Sequence, residues 1–281
     1  MRLIIVTGAN KGLGFELVNQ MLLRSKTPTT VISTFRNNEL GLASVQKLNS
    51  AVSAKVKGEV HLDSHQLDIT DSNSIGSFVD FLKNKYGKPC IDVLVNNAGI
   101  LVAKPGPDPK GLIAEKTLNT NFFSTIGLTR TLLPFMKDHG RVVSLSSTFS
   151  FVPGSPEEVK PQYFFKKFTE EKSLIEHVDS ILEKARAGLL KNTFPSPSYC
   201  VSKSALSCWT RIISKEFSSD PRKILFFSVC PGWVKTDLGS DRAPLSTVEG
   251  IKTPYYLITE DYDKLQKYNG EMFSNCTPLA L

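Results

Sequence analysis

The first 24 residues constrain the fold more than any other stretch. A short β-branched run, LIIVT (3–7), breaks into the glycine-bearing loop TGANKGLG (7–14), which leads straight into the amphipathic segment FELVNQMLL (15–23). A strand that hands over to a helix through so short a loop starts a β-α-β crossover. The pattern then recurs. Further strand candidates are TVISTF (30–35), EVHLDSHQLDI (59–69), IDVLVNNA (91–98), GRVVSLSS (140–147) and KILFFSVC (223–230), with stretches of helical length at 12–24, 38–52, 72–86, 111–137 and 198–218. Alternation of this kind predicts an α/β fold: a doubly wound, Rossmann-like parallel sheet with helices on both faces.

The chain of 281 residues then reads as one domain, 1–281, carrying an inserted helical segment at about 148–198. Inside the insertion, TEEKSLIEHVDSILEKARAG (169–188) places Leu174, Ile175, Val178, Ile181, Leu182 and Ala185 at helical spacing. Thr169 is the expected cap, Glu170 and Glu171 suit the first turn, and Gly188 suits the end. The aromatic run YFFKKF (163–168) is expected to anchor this insertion on the main domain.

Composition narrows the function. Hydrophobic residues at 41% and charged residues at 22% are the balance of a folded, soluble chain. The net charge of +7 comes from scattered Lys and Arg with no basic tract, which argues against nucleic acid and suits a phosphorylated small molecule. Cysteines 90, 200, 208, 230 and 276 form no CxxC pair, and the start, MRLIIV, is too short for a signal segment. No apolar stretch approaches the ~18–20 residues of a membrane span. A cytoplasmic, reduced protein is expected, with no membrane and no nucleic-acid partner.

Gly8, Gly12 and Gly14 follow GxxxGxG spacing. Glycine here permits a sharp turn, lets the backbone approach a pyrophosphate, and lets the helix pack closely, while the helix N-terminus offers free N–H groups to phosphate. An NAD site needs a carboxylate at the end of the second strand, and an NADP site needs cations. The sequence there is Phe35-Arg36 with no acid before Glu39, and Lys11 sits in the glycine loop, so NADPH/NADP+ is the expected cofactor. Farther on, SPSYCVSKSAL (196–206) places Tyr199 one helical turn before Lys203, a pairing that by itself is ordinary.

Taken with the glycine loop, LDIT (67–70), NNAG (96–99), Ser146–Ser147 and Tyr199-x3-Lys203 form a set. The chain resembles the short-chain dehydrogenase/reductase family over nearly its whole length. TNFFST (120–125) and CPGWVKTDL (230–238) look most like its monomeric NADPH-dependent carbonyl reductases. The resemblance implies a catalytic tetrad of Asn121, Ser147, Tyr199 and Lys203, with Asn119 and Ser146 the competing candidates for the first two places. It implies cofactor contacts from Gly8, Asn10, Lys11, Gly12, Leu13, Gly14 and Arg36; from Asp68 (the adenine ring) and Ile69; from Asn97, Ala98 and Gly99; from Tyr199 and Lys203; and from Pro231, Gly232, Val234 and Thr236 (the carboxamide). Ser147, Phe149, Tyr199 and Trp233 would meet the substrate. The long interval between Ser147 and Tyr199 implies a monomer, because the insertion would cover the helix that pairs subunits in shorter relatives.

Hydride reduction of a carbonyl leaves charge on oxygen that must be protonated, and a phenol can do this if its pKa is lowered. Lys203 is expected to lower that of Tyr199, Ser147 to donate to the carbonyl oxygen, and Asn121 to hold a water that feeds protons to Lys203. The expected reaction is NADPH-dependent reduction of an aldehyde, ketone or quinone. The alternatives are an NADP-linked alcohol or steroid dehydrogenase acting oxidatively, or a nucleotide-sensing regulator without turnover. His61, Asp63 and His65 alternate along a strand like metal ligands, but no fourth ligand is evident, so a solvated strand face and no metal are expected.

Overall fold

The computed structural model describes residues 1–52, 60–102, 108–151, 156–189 and 196–280. Its strands are β1 (Arg2–Val6), β2 (Thr29–Phe35), β3 (Val60–Gln66), β4 (Ile91–Asn96), β5 (Met136–Leu145), β6 (Leu225–Cys230), β7 (Met272–Ser274) and β8 (Thr277–Pro278). They form one sheet in the order β3-β2-β1-β4-β5-β6-β7-β8, with every neighbouring pair parallel except β7 and β8. Strand order reverses between β1 and β4, which opens a crevice at the C-terminal edge where folds of this kind take ligands.

The helices are α1 (Gly12–Arg24), α2 (Asn38–Val52), α3 (Ser72–Tyr86), α4 (Leu112–Leu118), α5 (Ser124–Leu132), α6 (Pro161–Lys167), α7 (Glu171–Arg186), α8 (Pro197–Glu216), α9 (Thr247–Gly250), α10 (Lys252–Thr259) and α11 (Tyr262–Leu265). The inner strands of the sheet are buried on both faces, so they alternate between two cores rather than between core and water. In β1, Leu3 and Ile5 join the layer of Phe78, Leu118, Leu206 and Trp209 from α3, α4 and α8. Ile4 and Val6 join the layer of Leu17, Met21 and Ile258 from α1 and α10. This period of two explains why the strand reads as a continuous apolar run.

The insertion packs where its apolar stripe required. Leu174, Val178, Leu182 and Ala185 of α7 are buried in the same layer as α8, together with Phe164, Phe165 and Phe168 from the aromatic run. Glu171 ties the layer: its carboxylate accepts from the indole N–H of the buried Trp209 at 2.8 Å and from Arg130, whose other contacts are to Glu216. Gly188, at φ +74°, follows the helix end as expected. The cap differs from expectation: Glu170, not Thr169, holds the N-cap position and makes no side-chain cap bond. Residues 152–155 and 190–195 of the insertion, and Glu59 of the third strand candidate, lie outside the described residues.

Two further departures matter. The segment 111–137 is not one helix. It divides into α4, a π-helical turn at Asn119–Phe123, α5 and a short turn at Leu133–Phe135 containing Pro134, after which β5 has already begun at Met136. Pro134 cannot supply the N–H that would continue the helix, and the wide turn points Asn121 inward. The C-terminal part adds β7 beside β6, where Met272 is fully buried, and Tyr255 and Tyr256 pack on the α1 side of the sheet.

Candidate active site

The phosphate end is built from β1, its loop and α1. Gly8 and Gly12 adopt φ +62° and +59°, where a side chain would be strained. A Cβ on Gly14 would lie 2.4 Å from Asn97 Nδ2. That amide needs the space, because it donates to the carbonyls of Thr7 (2.8 Å) and Gly8 (3.0 Å). Thr7 reciprocates: its Oγ1 accepts from the backbone N–H of Asn97 and of Ala98, both at 3.0 Å. The glycine loop and the NNAG turn are thus one braced unit, and Thr7 is a member that the sequence reading passed over although it opens the motif. Lys11 caps α1 without any side-chain bond to its first N–H groups. These donors face the crevice uncapped, the arrangement a pyrophosphate needs.

At the adenosine end, Arg36 is exposed just past β2, and no acid lies between it and Glu39. Asp68 accepts from Thr70 N and Oγ1 at 2.9 and 2.7 Å, and Ile69 beside it is buried. Lys11, expected to meet phosphate, is paired instead with Asp237 at 2.5 Å across the mouth of the crevice. Asp237 belongs to the loop after Pro231–Gly232, in which Lys235 N donates to Leu245 O and Leu245 N to Trp233 O. Thr236 in this loop stands against the glycine loop: a Cβ on Gly12 would be 3.3 Å from its methyl. Val234 is buried beneath it, while Trp233 is 53% exposed and donates its indole N–H to Gly239 O.

Three successive residues at the end of β5 meet the first turns of α8. Leu145 O accepts from Lys203 Nζ at 2.7 Å. Ser146 Oγ donates to Lys203 O at 2.8 Å and is itself bonded by Ser207 Oγ at 2.7 Å. Ser147 stands beside the Tyr199 phenol, whose pKa it lowers, and accepts from Phe149 N at 3.0 Å. The two serines therefore differ: Ser146 locks strand to helix, and Ser147 faces the tyrosine. Phe149 meets the Tyr199 ring edge-on, 6.0 Å between centroids. Cys230, which the sequence reading left without a role, accepts from Thr148 N at 3.3 Å and so holds the turn carrying Ser147. No motif signals this contact; it depends on the adjacency of β5 and β6.

Asn121 is fully buried, whereas Asn119 is exposed on the same turn. The Asn121 amide exchanges bonds with Ile100 N and O, both 2.8 Å, and donates to Ser202 Oγ at 3.1 Å. A Cβ on Gly99 would lie 3.2 Å from Asn121 Oδ1 and 3.4 Å from Lys203 Nζ. The carboxamide and the ammonium therefore border the same space over Gly99, and only glycine leaves it open.

Burial dominates the electrostatics. It pushes the Tyr199 phenol well above its ordinary range, against a smaller lowering by the Ser147 hydrogen bond. It pulls the Lys203 ammonium down to about 8, slightly opposed by Cys230. The ammonium donates to Leu145 O and lies 5.9 Å from the Tyr199 ring centroid, near enough for its charge to favour a phenolate. Elsewhere, Asp63 accepts from Lys85 and Tyr86, and His65 packs on Phe78 and Phe81. Among the described residues no group of three His, Cys, Asp or Glu side chains is arranged to hold a metal.

Comparison with known proteins places this geometry. The short chain dehydrogenase family model matches residues 2–159. Carbonyl reductase (NADPH) 3 of Mus musculus is 36% identical over 262 residues, 91% of this chain and 90% of the relative. Carbonyl reductase (NADPH) 1 of Bos taurus is 37% identical, covering 90% of this chain and 89% of its own. Among solved structures, salutaridine reductase from Papaver somniferum superposes with a TM-score of 0.79 at 26% identity over 98% of this chain and 100% of that one.

Proposed function

The chain belongs to the short-chain dehydrogenase family, and from that premise we propose that it is an NADPH-dependent carbonyl reductase with Tyr199 as proton donor. The observation that carries the reading is the convergence, at one sheet edge, of the braced glycine loop and a buried Ser147–Tyr199–Lys203 group. The residues present fit a dinucleotide: the uncapped α1 N-terminus and two glycines at positive φ. Gly8, Asn10, Gly12, Leu13 and Gly14 would hold the pyrophosphate, Arg36 the 2′-phosphate, and Asp68 and Ile69 the adenine. Asn97 to Gly99, Pro231, Gly232, Val234 and Thr236 would line the nicotinamide end. Lys11 reaches a phosphate by leaving Asp237. NADPH, when bound, supplies the hydride.

The chain's own residues do the rest. Ser147, its hydroxyl oriented by Phe149 N, donates to the substrate oxygen. Tyr199, kept protonated by burial, transfers its proton to that oxygen as charge develops. Lys203 then stabilises the phenolate and returns a proton, and Asn121 holds its neighbour Ile100 and a water over Gly99 in line with the ammonium. The exposed indole of Trp233, with Phe149 beside Tyr199, favours a substrate with an apolar body: an aldehyde, ketone or quinone.

We further propose a monomer, since α6 and α7 already cover α8, and a cytoplasmic setting, consistent with five free cysteines. No described helix is long and apolar enough to cross a membrane. The test is NADPH oxidation against a panel of apolar aldehydes, ketones and quinones. Turnover with none of them refutes the reading. A gel-filtration mass of a dimer at low concentration refutes the monomer.

A further inference from the structure

Arg36 and Asp68 belong to different loops, yet a single run of hydrogen bonds joins them. Asp68 N donates to Ser74 Oγ at 2.9 Å, Ser74 Oγ donates to Gln66 Oε1 at 2.9 Å, and Gln66 Nε2 donates to Arg36 O at 3.2 Å. Each donor has one acceptor and the directions agree, so the Gln66 amide is fixed in orientation by its two partners. Gln66 ends β3 and is the register partner of Phe35, the last residue of β2. Ser74 is buried in the first turn of α3.

The rest of the Arg36 turn is anchored independently. Leu67 N donates to Phe35 O at 2.7 Å, and Asn37 Oδ1 accepts from Leu40 N at 2.9 Å. Phe35 itself is clamped by α2, where a Cβ on Gly41 would fall 2.0 Å from its ring. Beside that backbone bond from Leu67, the Arg36 carbonyl is where a side chain of β3 grips the turn. The guanidinium makes no ion pair among the described residues.

We infer that Gln66 and Ser74 are positioning residues for cofactor selectivity, setting the backbone of Arg36 relative to Asp68 so that the guanidinium meets the 2′-phosphate of NADPH. The inference rests on the proposed cofactor reading and deepens it. Arginine recognises phosphate through a planar fork, and a fork tolerates little displacement of its base. NADH has no 2′-phosphate and does not use this fork. A relay that merely stabilises the fold would affect both cofactors alike.

The experiment is equilibrium binding of NADPH and NADH to the full chain, followed by nucleotide fluorescence. Gln66→Leu should weaken NADPH about fivefold, the scale of one hydrogen bond, and NADH less than twofold. Gln66→Glu keeps the acceptor for Ser74 but loses the donor and adds charge, so its NADPH loss should exceed about tenfold. In an Arg36→Ala background, adding Gln66→Leu should change NADPH binding less than twofold, because the group it positions is gone. Ser74→Ala should reproduce the selective loss and decides the matter if Gln66→Leu fails to fold. Equal weakening of both cofactors, or a loss that persists undiminished in Arg36→Ala, overturns the inference while leaving the cofactor reading intact. A wild type that binds NADPH no better than NADH overturns both.

Discussion

Replacing Lys203 with methionine should make the protein more stable near neutral pH while abolishing its turnover. The ammonium is buried, and burial lowers its pKa from 10.5 to about 8. At ~1.4 kcal/mol per pH unit, that fall means the fold gives up roughly 3 kcal/mol to keep the charge in place at pH 7. The sign follows from proton counts. Between about 8 and 10.5 the unfolded chain binds a proton at Lys203 that the folded chain has lost, so this group's contribution makes stability rise with pH across that window. Below it the full penalty applies. Methionine has a similar length, no charge and no need for the bond that Lys203 Nζ donates to Leu145 O. Losing that bond offsets part of the gain, which leaves about 2 kcal/mol at pH 7. The assay is urea unfolding of both proteins without cofactor at pH 7 and pH 9.5. K203M should be more stable at pH 7, and the difference should shrink at pH 9.5. A variant less stable than wild type at pH 7, or a difference independent of pH, refutes the reasoning.

Glu171→Ala leaves the buried Trp209 indole N–H without its carboxylate acceptor and loosens the insertion. The expected loss is about 2–3 kcal/mol, or roughly 5–10 °C in melting temperature by calorimetry, with Glu171→Gln losing about half as much. Arg36→Asp should reverse the preference between NADPH and NADH in steady-state kinetics by exchanging phosphate attraction for repulsion; an unchanged preference would mean that the 2′-phosphate is read elsewhere.

Local signals carried much of the fold. The bounds of α1, α2 and α3 read from the sequence coincide with those observed; the glycine loop marks the start of α1, and Asp71 and Gly87 bracket α3. The π-helical turn at Asn119–Phe123 had no such mark: its apolar spacing is helical throughout, and only packing distinguishes it. The three residues of β7 are too few to read as a strand and exist by pairing with β6. At the site, residue types and order were legible, and the structure gathers Ser147, Tyr199, Lys203 and Asn121 at one edge. Partners were less so. Lys11 pairing with Asp237, Lys203 turning to Leu145 O, and Gln66 reaching Arg36 O all join residues distant in sequence, which periodicity cannot report.

The most direct test of the account is the pair of measurements on Tyr199→Phe. The ring, its contact with Phe149 and the burial of the site are retained, and only the hydroxyl that meets Ser147 is lost. NADPH oxidation with a carbonyl substrate should fall by at least about a hundredfold, the lower range for a general acid, while the NADPH dissociation constant stays within about twofold. Turnover near the wild-type rate would contradict Tyr199 as the proton donor.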